Sequence, residues 1–258
     1  MTHEFTIHEA DGPLVAAAIH AGHGVREEVA ALLAIDEADR LREEDPFTDR
    51  LLAAGDSRVA VRASRFEVDL NRPRESAVYT VPEDAWGLRL YREPPPAAVV
   101  DRSLERYDRF YAAVESLLDR LTRRHERVLV LDLHSYCHRR GGPGAAPEDA
   151  RQNPEVNLGT ESLDRGRFGE AADAFARALA GCRVGDAPLD VRENVRFRGG
   201  AFPRWINRRF AGRAGAIAIE LKKTFMDEWT GALDEERFAA LARALETAAG
   251  AARARLTP

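Results

Sequence analysis

A nearly unbroken apolar run, Val128-Leu-Val-Leu-Asp-Leu133, leads straight into His134 and Ser135, and it limits the folds open to this chain more than any other segment. A run this short and this apolar suits a central strand covered on both faces, which occurs in layered α/β proteins. Leu14–Ile19 is a second such run and passes into the polar, Gly-rich cluster His20-Ala-Gly-His-Gly24. Ala214–Leu221 is a third, with Glu220 embedded in Ala216-Ile-Ala-Ile-Glu-Leu221. Val59–Val61 and Phe66–Leu70 alternate with period two and predict two further strands, the second closed by Asn71-Arg-Pro-Arg74.

Helical spacing fills the intervals. Val29, Leu32, Leu33 and Ala38 predict one helix over Arg26–Leu41, followed by an acidic turn, Glu43-Glu44-Asp45, that Pro46 closes. After the proline-rich connector Arg92–Ala97, an apolar stripe through Leu104, Tyr107, Phe110, Tyr111, Val114 and Leu118 predicts a long amphipathic helix. Further helices are expected at Arg165–Leu179 and Glu235–Leu256, and a long Gly-, Pro- and Arg-rich loop at Arg139–Asn153. Strands alternating with helices imply an α/β layer structure with a largely parallel or mixed sheet, and 258 residues without an internal repeat fit one domain, 1–258.

Composition excludes several function classes. With 45% hydrophobic and 31% charged residues the chain is globular, and its net charge of −5 lacks the basic excess that a nucleic-acid partner requires. No stretch approaches the roughly 20 apolar residues of a membrane span. Cys137 and Cys182 have no metal-binding spacing and are expected to be free thiols. Met1–Asp11 is acidic and has no signal-peptide pattern, so a cytoplasmic location is expected.

Ionisable groups at the ends of apolar strands stand out, because a charge facing a core is costly unless a metal or an opposite charge compensates it. His20 and His23, the Glu43–Asp45 turn, Asp132 with His134, and Glu220 are all of this kind. Together they offer the His and carboxylate donors of a hydrolytic zinc site, which needs about three protein ligands and an open position for water. Glu220, inside a strand, is expected to be desolvated and is the candidate general base. Asn71 and Arg72, an amide and a guanidinium side by side, suit a carboxylate, and Arg65 and Arg204 are candidates for the same anion pocket.

On these residues the chain resembles the N-formylglutamate amidohydrolase family, whose members look like distant relatives of the zinc carboxypeptidases. The resemblance runs from about His20 to Glu228 through His20-Ala-Gly, Glu44–Asp49, Ser64–Pro73, Asp132–Ser135, Asn157–Thr160, Gly199-Gly200 with Arg204, and Ile219–Lys222. It implies a three-layer α/β/α fold with a mixed, largely parallel central sheet of the zinc-carboxypeptidase and phosphorylase/hydrolase kind. It also implies one zinc ion with His20 and His134 as ligands, Glu220 as general base, and Asn71 and Arg72 gripping a substrate carboxylate. Carboxypeptidases take a third ligand from a His-x-x-Glu pair, but the residue three after His20 is His23. Asp45, Glu44 and His23 are therefore rivals, and Asp45 is chosen because the acidic turn is the nearest common element of the family. The implied activity is removal of an N-formyl or other N-acyl group from glutamate or a similar acidic amino acid. The alternatives are a carboxypeptidase-like peptide hydrolase and a non-catalytic relative that binds metal or carboxylate.

Overall fold

The computed structural model describes residues 4–257, so the first three residues of the acidic Met1–Asp11 stretch lie outside it. Among the described residues nine strands form in the order β1 (Phe5–His8), β2 (Leu14–Ala18), β3 (Ser57–Val61), β4 (Val128–Tyr136), β5 (Val156–Gly159), β6 (Arg183–Val184), β7 (Ala187–Pro188), β8 (Val191–Glu193) and β9 (Ala214–Lys222). Six α-helices accompany them: α1 (Glu27–Ala30), α2 (Glu37–Glu43), α3 (Ala97–Arg124), α4 (Arg165–Ala180), α5 (Ala201–Arg209) and α6 (Glu235–Arg253). Seven strands make the central sheet in the order β1-β3-β2-β4-β9-β5-β8, while β6 and β7 pair as a separate ribbon.

The sheet is mixed: β3, β2, β4 and β9 run parallel, whereas β1 and β5 pair antiparallel with β3 and β9. Alternate side chains divide its core into two layers. Leu14, Ala16 and Ala18 of β2, with Leu129, Leu131 and Leu133 of β4, pack on the α4 and α6 side, where Phe168, Phe175, Leu245 and Ala248 meet them. Val15 and Ala17, with Val128 and Val130, face α3 and α5 through Phe110, Leu117, Phe202 and Ile206. This is the three-layer α/β/α arrangement expected from the sequence, and it requires central strands apolar on both faces.

From β2 the chain crosses to β3 on one side and later returns to β4 on the other. The β2–β4 boundary is thus a point where strand order reverses, and open α/β sheets leave a crevice beyond the C-terminal strand ends at such points. β2 runs out into His20, and β4 carries Asp132 and His134 on the α3/α5 side, by alternation with Val128 and Val130. On β9, Glu220 lies on that same side by alternation with Ala214 and Ala216, and the parallel register pairs it with His134.

Two local expectations are corrected. The Phe66–Leu70 stretch is a turn rather than a strand: Glu67 N and Val68 N bond back to Ser64 O, and Asp69 N donates to Ala77 O. Its period-two pattern does not separate an inner from an outer face, since Phe66, Glu67, Val68, Asp69 and Leu70 are all buried. Its acids point into buried ionic partners instead, as Glu67 receives Arg26 and Arg106 and Asp69 receives His20 and Arg65. The second correction is that Arg26–Leu41 is two short helices, because Asp36 caps α2 through Asp39 N and Ala34 N is drawn to Leu90 O.

Candidate metal centre and its cavity

Three distant segments meet in the crevice. His20, Asp45 and His134 are buried and offer ligand atoms that all lie within 4.8 Å of one another. His134 Nδ1 is 2.9 Å from Asp45 Oδ2, His20 Nδ1 is 3.5 Å from the same oxygen, and the two imidazole rings are 4.8 Å apart. The rival ligands lie elsewhere, since Glu44 accepts from His23 Nδ1 at 2.5 Å and also from Ser64 Oγ.

Behind each imidazole stands a carboxylate. His20 Nε2 lies 2.8 Å from Asp69 Oδ1. Burial pushes the Asp69 carboxyl up, but the nearby Arg65 and His20 outweigh it and hold it well below the usual carboxylate range. An ionised carboxylate only accepts, so His20 Nε2 donates to it, and Nδ1 is the ring nitrogen turned toward Asp45. That Nδ1 is buried with no hydrogen-bond partner, as a nitrogen aimed at a cation would be. His134 Nε2 approaches Asp132 Oδ2 at 2.9 Å but is not aligned for a hydrogen bond. Burial works against a charged His134, yet the Asp132 charge and the bond to Asp45 raise its pKa well above the usual imidazole value. Asp45 is likewise opposed by burial, and the bond from His134 together with the neighbouring His20 ring holds its carboxyl below the usual range. The cluster therefore brings an anionic oxygen and two imidazole nitrogens to one point, a set that fits a small divalent cation once His134 gives up its proton.

Among the described residues the Glu220 side chain makes no hydrogen bond or ion pair, and burial raises its carboxyl to about 7. It lines, with His20, Asp45 and His134, a cavity of about 580 Å³. Arg65, Asn71 and Arg72 line the same cavity. Arg65 donates to Asp69 Oδ2 at 2.8 Å, and its guanidinium lies 4.8 Å from the Trp86 ring. Arg72 lies 5.2 Å from the Tyr79 ring and donates to Asp84 O. Phe202 N donates to Asn71 Oδ1 at 3.0 Å, which leaves the Nδ2 donors for a ligand. From behind, consecutive carbonyls of this segment are tied down: Leu70 O by Tyr111 Oη, Asn71 O by Ala201 N and Arg72 O by Tyr107 Oη. Gly200 packs so closely that a Cβ there would sit 2.3 Å from Asn71 Oδ1.

Arg204 is not brought into this group. It is half exposed, pairs with Glu161 at 3.2 Å, and lines a separate groove beside Tyr107 and Trp205. The arginines that line the far side of the cavity are Arg140, Arg196 and Arg198, which sequence reasoning passed over. Asp69 and Asp132 were also not recognised as imidazole partners, although the Asp132–His134 spacing of two in a strand already puts both on one face.

A mixed α/β/α sheet thus brings a His-Asp-His cluster and a buried carboxyl together at its reversal point. The chain belongs to the N-formylglutamate amidohydrolase family, whose model matches residues 12–226, and so to the hydrolases. The fold is shared with the N-formylglutamate amidohydrolase from Ralstonia eutropha JMP134, which is 19% identical over 98% of this chain and 97% of that one, with a TM-score of 0.75. It is also similar to a gene product from Agrobacterium tumefaciens, at 19% identity over 96% of this chain and 94% of that one, with a TM-score of 0.66. No curated protein matches the chain. Among the described residues no helix is long and apolar enough to cross a membrane.

Proposed function

We propose that the chain is a metal-dependent amidohydrolase that removes an N-formyl or similar small N-acyl group from glutamate or a related acidic amino acid. The observation that carries this reading is the convergence of His20, Asp45 and His134 on one point, with Glu220 in the same cavity. A divalent ion held by His20, Asp45 and His134, zinc by the nature of its donors, would supply Lewis acidity there and make the proton of a water easier to remove. Glu220, unpaired and with its carboxyl raised to about 7, takes that proton as the water oxygen bonds to the acyl carbon, and hands it to the amine as the C–N bond breaks. Asn71 and Arg72 hold the substrate carboxylate, and Arg65 adds positive charge beside them.

A small substrate is favoured by the way the Arg139–Asn153 loop is fastened. Arg140 is paired with Glu43 at 3.2 Å, while Arg196 ties Glu148 at 2.7 Å and bonds Asn153. Of this loop Arg140 reaches the cavity wall, and its fastening favours a short substrate over a peptide. The test is a panel of N-formyl-, N-acetyl- and peptidyl-amino acids supplied with zinc. Hydrolysis of the short N-acyl acidic amino acids, with peptides untouched, is expected; preferential cleavage of peptides would replace this reading with a carboxypeptidase-like one.

A further inference from the structure

We propose that Lys223 is a positioning residue for Asp45, fixing the peptide bond that precedes this carboxylate; the inference rests on the metal reading above. Lys223 follows directly on β9 and is 1% exposed. Among the described residues it has no carboxylate ion pair, which is unusual for a buried lysine. Its Nζ donates instead to Arg42 O and Glu44 O, each at 2.6 Å, and lies 3.7 Å from Cys137 Sγ. Arg42 O belongs to the last turn of α2, where carbonyls lack partners within the helix.

Glu44 O is the decisive acceptor, because it is the carbonyl of the Glu44–Asp45 peptide unit. The other polar group of that unit, Asp45 N, donates to His20 O at 3.0 Å. One peptide plane is thus held at both edges, by the exit of β2 through the His20 carbonyl and by the exit of β9 through Lys223. On the following side, Asp45 O accepts from Thr48 Oγ1 at 2.7 Å. With its backbone fixed before and after, Asp45 presents its carboxylate to His20 and His134 from an otherwise irregular turn. Metal ligands need placement to within about 0.5 Å, and a turn without such a tie does not supply it. The strand that delivers Glu220 therefore also sets the ligand opposite it, three residues further on.

The test compares zinc affinity, by competition with a chromogenic chelator, for the wild-type chain, Lys223→Met and Lys223→Gln, with circular dichroism reporting the fold. Lys223→Met is expected to keep the wild-type spectrum and bind zinc at least about tenfold more weakly, the loss typical of a disturbed ligand support. Lys223→Gln, which retains a shorter donor, should fall between the two. A purely structural role lowers the melting temperature but leaves the affinity of the folded protein unchanged, so variants that fold and bind within twofold of wild type overturn the inference. Failure of both variants to fold overturns it as well, since Lys223 would then support the whole fold. A wild-type chain that takes up no zinc overturns the metal reading itself, a result distinct from either.

Discussion

The strand side and the loop side of the cavity are built by opposite means. On the strand side His20, Asp45, Asp69, Asp132 and His134 are each no more than 2% exposed, and every charge is held by another buried group. On the loop side Arg140, Arg196 and Arg198 have side chains 40%, 25% and 64% exposed; Arg140 pairs with the buried Glu43, and the other two pair with Glu148 and Glu161 near solvent. Breaking a buried pair costs about 3–5 kcal/mol because it strands a charge, whereas exposed pairs contribute about 0–1 kcal/mol. The proposed centre is thus fixed by interdependence, and the loop-side arginines are free to vary without undoing it.

The largest effect is expected from Glu220→Gln. The change keeps shape and removes the proton acceptor, so zinc content should match wild type while kcat falls by about 10²–10⁴-fold. Near-normal turnover in the metal-loaded variant would remove Glu220 from the mechanism and leave the strand side as a binding site only.

A smaller effect tests the interdependence directly. Asp69→Asn keeps an acceptor for His20 Nε2 but removes the charge that orients it, and zinc affinity should drop by about 10–100-fold. The same cluster predicts a pH dependence. In the metal-free protein His134 holds its proton above the ordinary imidazole range, owing to Asp132 and Asp45 acting against burial. A cation must displace that proton, so zinc affinity should rise by about tenfold per pH unit from pH 6 upward and level off once the raised pKa is passed. The stability that His134 lends the metal-free fold has the opposite sense. It is complete below about 6.5 and lost as pH rises through the raised value. Zinc titrations and urea melts of the metal-free chain between pH 6 and 9 check both; flat profiles would mean that His134 is neutral there.

Most of the strand side was legible in the sequence because its elements are long and their pattern is strict. β2, β4 and β9 are apolar on both faces, and that made His20, His134 and Glu220 conspicuous. The choice of Asp45 over Glu44 and His23 was not legible from the residues, since three adjacent acids differ only in where a turn aims them. The turn that aims them depends on Lys223, some 180 residues away in sequence. Phe66–Leu70 misled for a related reason: alternation predicts a strand only when one set of residues faces water, and here the acids are buried against histidine and arginine. β5 and β8, at 4 and 3 residues, are too short for periodicity, and α5 opens at Gly200 with no capping side chain. The loop-side arginines were hidden among many others, and only the fold distinguishes Arg140 and Arg196 from Arg204.

That distinction gives the finest test. The Asn71–Arg72 clamp belongs to the strand side in construction, as Tyr111 Oη reaches Leu70 O at 2.8 Å from within the core. Tyr111→Phe removes one bond from the ladder behind the clamp without touching the cavity. It should raise KM for an acidic substrate by about three- to tenfold, a loss of roughly 1 kcal/mol as for a typical hydrogen bond, with kcat little changed. Arg140→Ala, on the loop side, should raise KM by less, because its partly exposed guanidinium is already engaged by the buried Glu43 rather than free for substrate. Arg204→Ala should change neither constant by more than about twofold, since its side chain lies in a separate groove and Glu161 keeps its pair with Arg198. An Arg204→Ala variant whose KM rises as far as that of Tyr111→Phe would place the anion pocket across both regions, and the contrast between a fixed and a variable side would no longer hold.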